Sequence, residues 1–138
     1  MRLSVDVPRT PVRTWALLTE RKHLTVWWGA YVTLDAVPGG AFIELWRDGD
    51  RDVRTAGTVT LCEPPRLLGL TWADDDCEQT TQVRFRIEPA GSGASLHMSH
   101  DGWRNFAPER GKTLMDAHEA RWRMHLASFA DYAAAAGD

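Results

Sequence analysis

Residues 112–135 read KTLMDAHEARWRMHLASFADYAAA and form the longest periodic stretch of the chain. Large apolar residues recur in it every three or four positions, which is the repeat of an amphipathic helix. The stripe consists of Met115, His118 or Glu119, Trp122, Leu126, Phe129 and Ala133. We therefore predict a long C-terminal helix that ends before Gly137 and buries one face against another layer of the protein.

The segments before this helix have the pattern of short β-strands. Turn-forming groups such as Pro38-Gly39-Gly40 and Asp48-Gly49-Asp50 separate runs that are rich in apolar residues. We predict strands over residues 31–37, 41–47, 54–61, 66–72, 80–88 and 94–100. The links between them are too short for the crossover that a parallel pair requires, so the strands are expected to pair as an antiparallel meander.

The N-terminal segment adds one strand and two short helices. Residues 3–7 alternate in polarity and stop at Pro8, which cannot donate to a strand ladder. Thr10 and Pro11 have the pattern of a helix start, so we predict a helix over residues 11–19 and one or two further turns over 20–27.

These elements together predict an α+β protein. A curved antiparallel sheet of about seven strands would wrap around the long C-terminal helix, because that helix is the element large enough to cover the apolar face of the sheet. A chain of 138 residues is long enough for one core, so residues 1–138 are expected to form a single domain. A curved sheet wrapped around a helix seldom closes completely, so a cavity between the two is expected.

The composition argues against several functions. A net charge of -3 and a pI near 5.9 give no overall basic field to hold phosphates, so nucleic acid is not an expected partner. No apolar run is long enough to span a bilayer, and the first residues lack the apolar core of a secretory signal. We expect a cytoplasmic protein without membrane insertion.

The two cysteines and the acidic loop predict no metal site. Cys62 and Cys77 are isolated in the sequence and match no zinc or disulfide pattern, so they are interpreted as free thiols. The run Asp74-Asp75-Asp76-Cys77-Glu78 is interpreted as a solvated hairpin tip, because consecutive carboxylates in a loop lack the fixed geometry that an ion requires. No cofactor is predicted.

Several stretches in order carry a family resemblance. They are VDVPRTPVRTWALLT at residues 5–19, LTVWWG at 24–29, DAVPGG at 35–40, GTVTLCEPPRLL at 57–68, LHMSHDGW at 96–103 and ARWRMHLASFADY at 120–132. The chain resembles the START-like or SRPBCC superfamily over nearly its whole length. More narrowly, it is similar to the homologues of the activator of the 90-kDa heat-shock protein ATPase.

The resemblance implies a helix-grip fold with an internal cavity for apolar small molecules. It implies no single reaction, because this superfamily includes lipid binders, allergens, polyketide aromatase/cyclases and chaperone activators. The chain departs from the pattern at Val37, where the family often has Arg, and at Arg121, where a Gly commonly precedes the helix Trp. Arg121 removes a place of close approach between helix and sheet, which would change the depth of the pocket.

Strand parity and the resemblance give a set of expected pocket residues. Residues that alternate along one strand share a face of the sheet, and aromatic rings on such a face suit a flat, hydrophobic ligand. The expected ligand-binding residues are Trp27, Trp28, Phe42, Trp46, Leu70, Trp72, Phe85, Met98, Trp103, Met115 and Trp122. The alternative interpretation is that these rings fill the interior and leave no cavity. Trp15 and Trp122 are expected at helix core positions.

Three titratable residues are candidates for acid–base catalysis. His100 shares the inner parity of its strand, and His118 lies one helical turn before Trp122. The resemblance favours an inward Glu44, where desolvation would raise the pKa of its carboxyl, but a shift of one residue would send Glu44 to solvent. Alternatively, each histidine is satisfied by a backbone carbonyl or water. His125 is expected on the flank of the helix and His23 at the surface.

The sequence therefore leaves three functional hypotheses. The leading one is a protein that binds an apolar small molecule in an internal cavity, as a monomer or homodimer. The second is a polyketide-type cyclase, dehydratase or isomerase that uses Glu44 with His100 or His118. The third is a co-chaperone that activates the 90-kDa heat-shock chaperone ATPase. None of the motifs for a nucleophilic serine, a P-loop or an HExxH zinc site occurs in the sequence.

Overall fold

The computed structural model describes residues 1–137, which form one curved sheet covered by helices. The strands are β1 (Arg2–Val7), β2 (Val32–Leu34), β3 (Ala41–Asp48), β4 (Arg51–Glu63), β5 (Leu67–Asp74), β6 (Thr81–Ala90) and β7 (Gly93–Asp101). The helices are α1 (Pro11–Thr19), α2 (Arg21–Trp27) and α3 (Pro108–Ala136), and a 3-10 turn spans Trp103–Asn105. All strand pairs are antiparallel in the order β1-β7-β6-β5-β4-β3-β2, which confirms the predicted α+β helix-grip fold.

The helix starts follow local chemistry. Thr10 caps α1 by accepting a hydrogen bond from the backbone N–H of Arg13 at 3.2 Å, and Pro11 occupies the first turn, so the predicted bounds of α1 are confirmed. Helix α3 begins at Pro108 rather than at residue 112, because proline fits the first helical turn, where its missing N–H has no role. None of the described helices combines the length and apolar character needed to cross a lipid bilayer.

Strand β4 contains an irregularity that changes the face of one side chain. Val59 pairs with Leu70, but the next pair in register is Leu61 with Gly69, so the ladder shifts between these positions. Such a bulge inserts one residue and reverses the alternation beyond it. Strand parity with Val59 predicts an inner Leu61, and this prediction is wrong: Leu61 lies on the outer face, where its Cβ approaches Gly69.

The core lies between the inner face of the sheet and α1, α2 and α3. The predicted stripe of α3 is confirmed at five positions and only partly at Met115, which is half-buried. The five buried positions are His118, Trp122, Leu126, Phe129 and Ala133. The sequence predicts His125 on the flank of the helix and His23 at the surface, but both are buried, with 7% of each exposed. Nδ1 of His23 lies 2.6 Å from the hydroxyl of Tyr132, a contact that joins α2 to α3.

Candidate functional site

Three polar side chains form a row across the inner face of β3, β4 and β5. Glu44 lies opposite Thr55, and Thr55 lies opposite Asp74. All three are buried, and Glu44 is only 3% exposed. The structure thus resolves the two registers left open for β3 in favour of the inward Glu44.

Helix α3 places three further polar residues against this row. His118, Arg121 and His125 share one side of the helix because they are three or four residues apart. We call these six residues the interior cluster: Glu44, Thr55, Asp74, His118, Arg121 and His125.

Asp74 and His118 form a buried ion pair. Nδ1 of His118 lies 2.7 Å from the carbonyl oxygen of Leu114, which can only accept, so Nδ1 carries a hydrogen. Nε2 lies 3.1 Å from Oδ2 of Asp74 and donates to it. Burial alone would raise the pKa of Asp74, but the hydrogen bonds from His118 and Thr55 and the charge of His118 hold it below its ordinary value.

A relay of hydrogen bonds leads from the Asp74 carboxylate to the rim of the sheet. The hydroxyl of Thr55 donates to Oδ1 of Asp74, and the indole N–H of Trp46 donates to the Thr55 oxygen at 3.0 Å. Both oxygens of Asp74 are therefore engaged, which fixes the carboxylate and, through it, the orientation of the His118 ring.

Arg121 covers Glu44 on its helix side. Its Nη2 lies 3.2 Å from Oε2 of Glu44, and its guanidinium carbon lies 3.4 Å from the centre of the Trp46 ring. Burial raises the pKa of the Glu44 carboxyl, while the charge and hydrogen bond of Arg121 oppose this rise. The side chain of Arg121 fills space that a glycine at this position would leave open.

His100 is held as a neutral ring by two hydrogen bonds. The indole N–H of Trp122 donates to its Nδ1 at 3.0 Å, so Nε2 carries the hydrogen and lies 2.7 Å from the hydroxyl of Thr81. Burial, with the charge of His118, lowers the pKa of His100 to about 2. A ring in this state is a poor acid–base catalyst near neutral pH. The alternative interpretation predicts a backbone carbonyl or water as the partner of each histidine, whereas the partners of His100 are the side chains of Trp122 and Thr81.

Aromatic rings fill the space between the sheet and α3. Trp28, at the end of α2, contacts the rings of Phe42, Trp72 and Trp122 at centroid distances of 5.3, 6.3 and 5.4 Å. The gap bordered by Trp72, His118, Arg121, Trp122 and His125 has no room for a sphere the size of water. The open hollow predicted from the sequence is therefore closed here by the protein's own side chains.

Four residues at or beside this gap each carry a buried polar atom with no hydrogen-bond partner among the described residues: Trp72 and His125 border the gap, Trp28 contacts both of their rings, and Glu44 contacts Arg121. The atoms are Nε1 of Trp28, Oε1 of Glu44, Nε1 of Trp72 and Nε2 of His125. The Trp28 indole N–H favours the charged form of Glu44, although its geometry falls short of a full hydrogen bond. Burial and the charge of Arg121 lower the pKa of His125 to about 4, so the ring is neutral.

The expected ligand-binding residues fall into three groups. Trp28, Phe42, Trp72, Phe85, Trp103 and Trp122 belong to one network of ring contacts with His100 and His118. Leu70 and Met98 lie in the fully buried core, and Trp27 is anchored by its N–H on the carbonyl of Leu17 at 2.9 Å. Trp46 stands at the rim, and Met115 is partly exposed near the start of α3.

Sequence reasoning missed Asp74, Thr55 and His125. The interpretation of Asp74 as part of a solvated loop is wrong, since it is the last residue of β5 and is 8% exposed. Its parity with Leu70 and Trp72 was a usable signal. Asp74, Asp76 and Cys77 have ligand atoms within 4.8 Å of one another, but Asp74 is engaged with His118 and burial raises the pKa of the Cys77 thiol to about 11.

Comparisons with known proteins agree with this fold. The family model described as "Activator of Hsp90 ATPase homolog 1-like protein" matches residues 8–134. A search of curated proteins found no match. A crystal structure from Rhodobacter sphaeroides is 22% identical, with a TM-score of 0.79 over 99% of this chain and 93% of the other.

Two further solved structures are similar in fold. The solution structure of the Aha1 dimer from Colwellia psychrerythraea is 18% identical, with a TM-score of 0.76 over 96% of this chain and 93% of that one. DynU16, a putative protein in the dynemicin biosynthetic locus, is 19% identical with a TM-score of 0.79. The match covers 99% of this chain but 47% of DynU16.

Proposed function

Since the chain belongs to the family of Activator of Hsp90 ATPase homolog 1-like proteins, we propose that it binds a small aromatic molecule with hydrogen-bonding groups. The binding place is the interior cluster and the rings around it. In the structure this place is closed by side chains, and Arg121 is the side chain that moves to admit the ligand.

The unpaired polar atoms around Glu44 are the observation that carries this proposal. Buried polar groups almost always have partners, and each exception needs an explanation. Here two indole N–H donors, one carboxylate oxygen and one imidazole nitrogen lie close together: Trp72 and His125 border the gap, Trp28 contacts both of their rings, and Glu44 contacts Arg121. A ligand with a hydroxyl or carbonyl group could pair with several of them and remove the cost of leaving them unsatisfied.

The surrounding rings favour a flat ligand. Trp28 and Trp72 are stacked with an interplanar angle of 16° and centroids 6.3 Å apart. Parallel indoles that separate by a few ångströms would accept a third ring between them, with favourable stacking on both faces. An aliphatic ligand would also be buried between the indoles, but stacking would not fix its orientation.

Arg121 is the part of the closure that solvent reaches. It is the only member of the interior cluster that is not classed as buried, and its long side chain reaches Glu44 and Trp46 from α3. Rotation of Arg121 toward solvent would expose Glu44 at little cost in packing, because the guanidinium can be hydrated. Binding therefore costs the Arg121–Glu44 contact, and the ligand must replace it.

The test uses 2-naphthol, a bicyclic phenol, in thermal-shift and tryptophan-fluorescence titrations. Arg121→Gly should bind it more tightly than the wild type, because the cover is removed. Arg123→Gly is the matched control, since Arg123 lies on the exposed side of the same helix and the loss of helix propensity is similar. At 100 times its Kd, the ligand should add about 2.7 kcal/mol to the stability of Arg121→Gly.

Naphthalene separates stacking from hydrogen bonding. It should bind more weakly than 2-naphthol, because it leaves the polar atoms around Glu44 unpaired. Equal binding of the two would contradict the role of these atoms. If neither compound stabilises Arg121→Gly more than Arg123→Gly, the proposed binding place is wrong.

An acid–base enzyme is the second candidate, and the environment of Glu44 favours it. A carboxyl with a raised pKa and one unpaired oxygen can exchange a proton with a bound substrate. His118 is committed to Asp74 and Leu114, so Glu44 would carry the proton transfer. Glu44→Gln should then abolish turnover of a polyketide-like substrate while retaining most ligand affinity; loss of affinity alone would favour the binding protein.

Activation of the Hsp90 ATPase is a third hypothesis that rests on the family description. Its test is direct: the purified protein is added to the chaperone and ATP hydrolysis is measured. Stimulation that survives Arg121→Gly and Glu44→Gln would assign the activity to the surface of the protein. Absence of stimulation would exclude it for the chaperone used.

A further inference from the structure

On the outer face of the sheet, we propose a second binding site, which takes a small molecule carrying a phosphate group. This outer groove lies on β1, β7 and β6 and has a volume of about 450 Å³. Its polar lining consists of Arg2, Ser4, Arg84, Arg86, His97 and Ser99. The interior cluster is on the opposite face, so the two sites can be tested separately.

The register of the strands builds the groove from two parallel rows. Ser99 of β7 pairs with Arg2 on one side and with Arg84 on the other, so two arginines flank a hydroxyl. In the next row, His97 pairs with Ser4 and with Arg86. Neighbouring strands are about 4.8 Å apart, so the Arg2 and Arg84 backbones lie roughly 10 Å apart and their long side chains can converge on one anion.

Two of the arginines have no carboxylate to neutralise them. Among residues 1–137, Arg86 and His97 form ion pairs with Glu88, whereas no ion pair involves Arg2 or Arg84. Asp101 flanks the Arg84 row, but its carboxylate lies 3.4 Å from the amino group of Met1. The groove therefore keeps a local excess of positive charge in a chain whose net charge is -3.

The chemistry of the lining favours phosphate. A guanidinium offers planar pairs of N–H donors that match two phosphate oxygens, and such charge-assisted hydrogen bonds are stronger than neutral ones. Ser99 adds a hydroxyl donor between the two arginines. A groove of this volume suits a small molecule, and the aliphatic part of Arg84 lies beside Gly69 of the neighbouring strand.

The experiment is an NMR titration of the full chain with inorganic pyrophosphate at pH 7 and low salt. Backbone amides of β1, β6 and β7 around the outer groove should shift with a saturable curve. Arg2→Gln and Arg84→Gln should each weaken binding about tenfold, because each removes a charged donor pair. Arg123→Gln is the control and should bind as the wild type does; the amide spectra report that all variants are folded.

Three results would overturn the proposal. They are unchanged affinity in Arg2→Gln and Arg84→Gln, equal binding of malonate, which would indicate a general anion surface, and an absence of saturable shifts at the groove. Cosedimentation with anionic phospholipid vesicles through Arg2 and Arg84, without binding of pyrophosphate, would assign the face to a membrane surface instead. Binding of 2-naphthol in the interior is unaffected by any of these outcomes.

Discussion

Asp74 and His118 are 44 residues apart in sequence and form an ion pair in the interior, with Nε2 of the imidazole 3.1 Å from Oδ2 of the carboxylate. The side chains of both are less than a tenth exposed. The pair fastens the last residue of β5 to the first half of α3. Loss of one partner would leave the other buried without a counter-charge, which is costly.

Asp74→Ala should therefore destabilise the fold by about 3–5 kcal/mol in urea unfolding. Asp74→Asn should cost less, because the amide oxygen can still accept from Thr55 and the amide nitrogen can donate to a neutral His118. Asp76→Asn is the control: its pair with Arg51 is exposed, so the change should stay within about 1 kcal/mol. Similar costs for Asp74→Ala and Asp76→Asn would contradict the buried pair.

His125 should make stability depend on mild acid. Its pKa is lowered from 6.5 to about 4, so the folded protein binds fewer protons than the unfolded chain between these values. The neutral His125 ring therefore contributes about 3 kcal/mol to the free energy of unfolding. This contribution is complete above pH 6.5 and is lost as the pH falls toward about 4. His125→Phe should reduce the slope of the unfolding free energy against pH in this range without abolishing it, because the lowered pKa of His100 contributes there too. His97→Phe, on the outer face, is the control.

Arg121 should control the titration of Glu44. Arg121→Met keeps the aliphatic length but removes the charge that opposes the effect of burial, so the pKa of Glu44 should rise further. Protonated Glu44 stabilises the folded protein below pH 4.5, and this stability is lost as the pH rises from 4.5 through the pKa of the folded state. In Arg121→Met the loss should extend to a higher pH than in the wild type. Carboxyl carbon NMR measures the shift directly, and an unchanged Glu44 titration would refute the coupling. Arg123→Met is the control.

Gly57 should tolerate no side chain. A Cβ at this position would lie 1.9 Å from the carbonyl oxygen of Thr71 on β5, so Gly57→Ala must separate β4 from β5. We expect the loss of more than about 3 kcal/mol, or no folded protein, by urea unfolding and circular dichroism. Gly29→Ala is the control, since its Cβ would meet Val32 at an ordinary 3.5 Å. A mild Gly57→Ala would show that the two strands separate easily.

Most of the fold could be predicted from local sequence patterns, and the errors in that prediction have local causes. The bounds of α1 were predicted to the residue because Thr10 and Pro11 act on their own turn. Strand β2 is only Val32–Leu34, shorter than the predicted 31–37. The residues that follow form a turn, in which the N–H of Gly40 donates to the carbonyl of Val37 instead of to a neighbouring strand. The bulge that turned Leu61 outward has no signature in residue type.

The candidate site was predicted in part. Parity and helical spacing placed His100 and His118 inward, and the resemblance added Glu44, which the structure confirms as buried. Whether His100 is free or held by Trp122 and Thr81 could not be read from spacing, since it depends on ring orientation. The ligand-binding roles of the surrounding tryptophans remain a prediction.

The sequence by itself determined the order of elements and the buried side of most of them, because periods of two and 3.6 residues act within one strand or helix. It left the buried face of β3 open and assigned Leu61 of β4 to the wrong face. The tertiary structure alone decided that the hollow is closed, that Arg121 covers Glu44 and that Asp74 meets His118. These contacts join β3, β5 and α3 across long stretches of chain. They depend on register and side-chain rotamers, which are set only when the sheet closes on the helix.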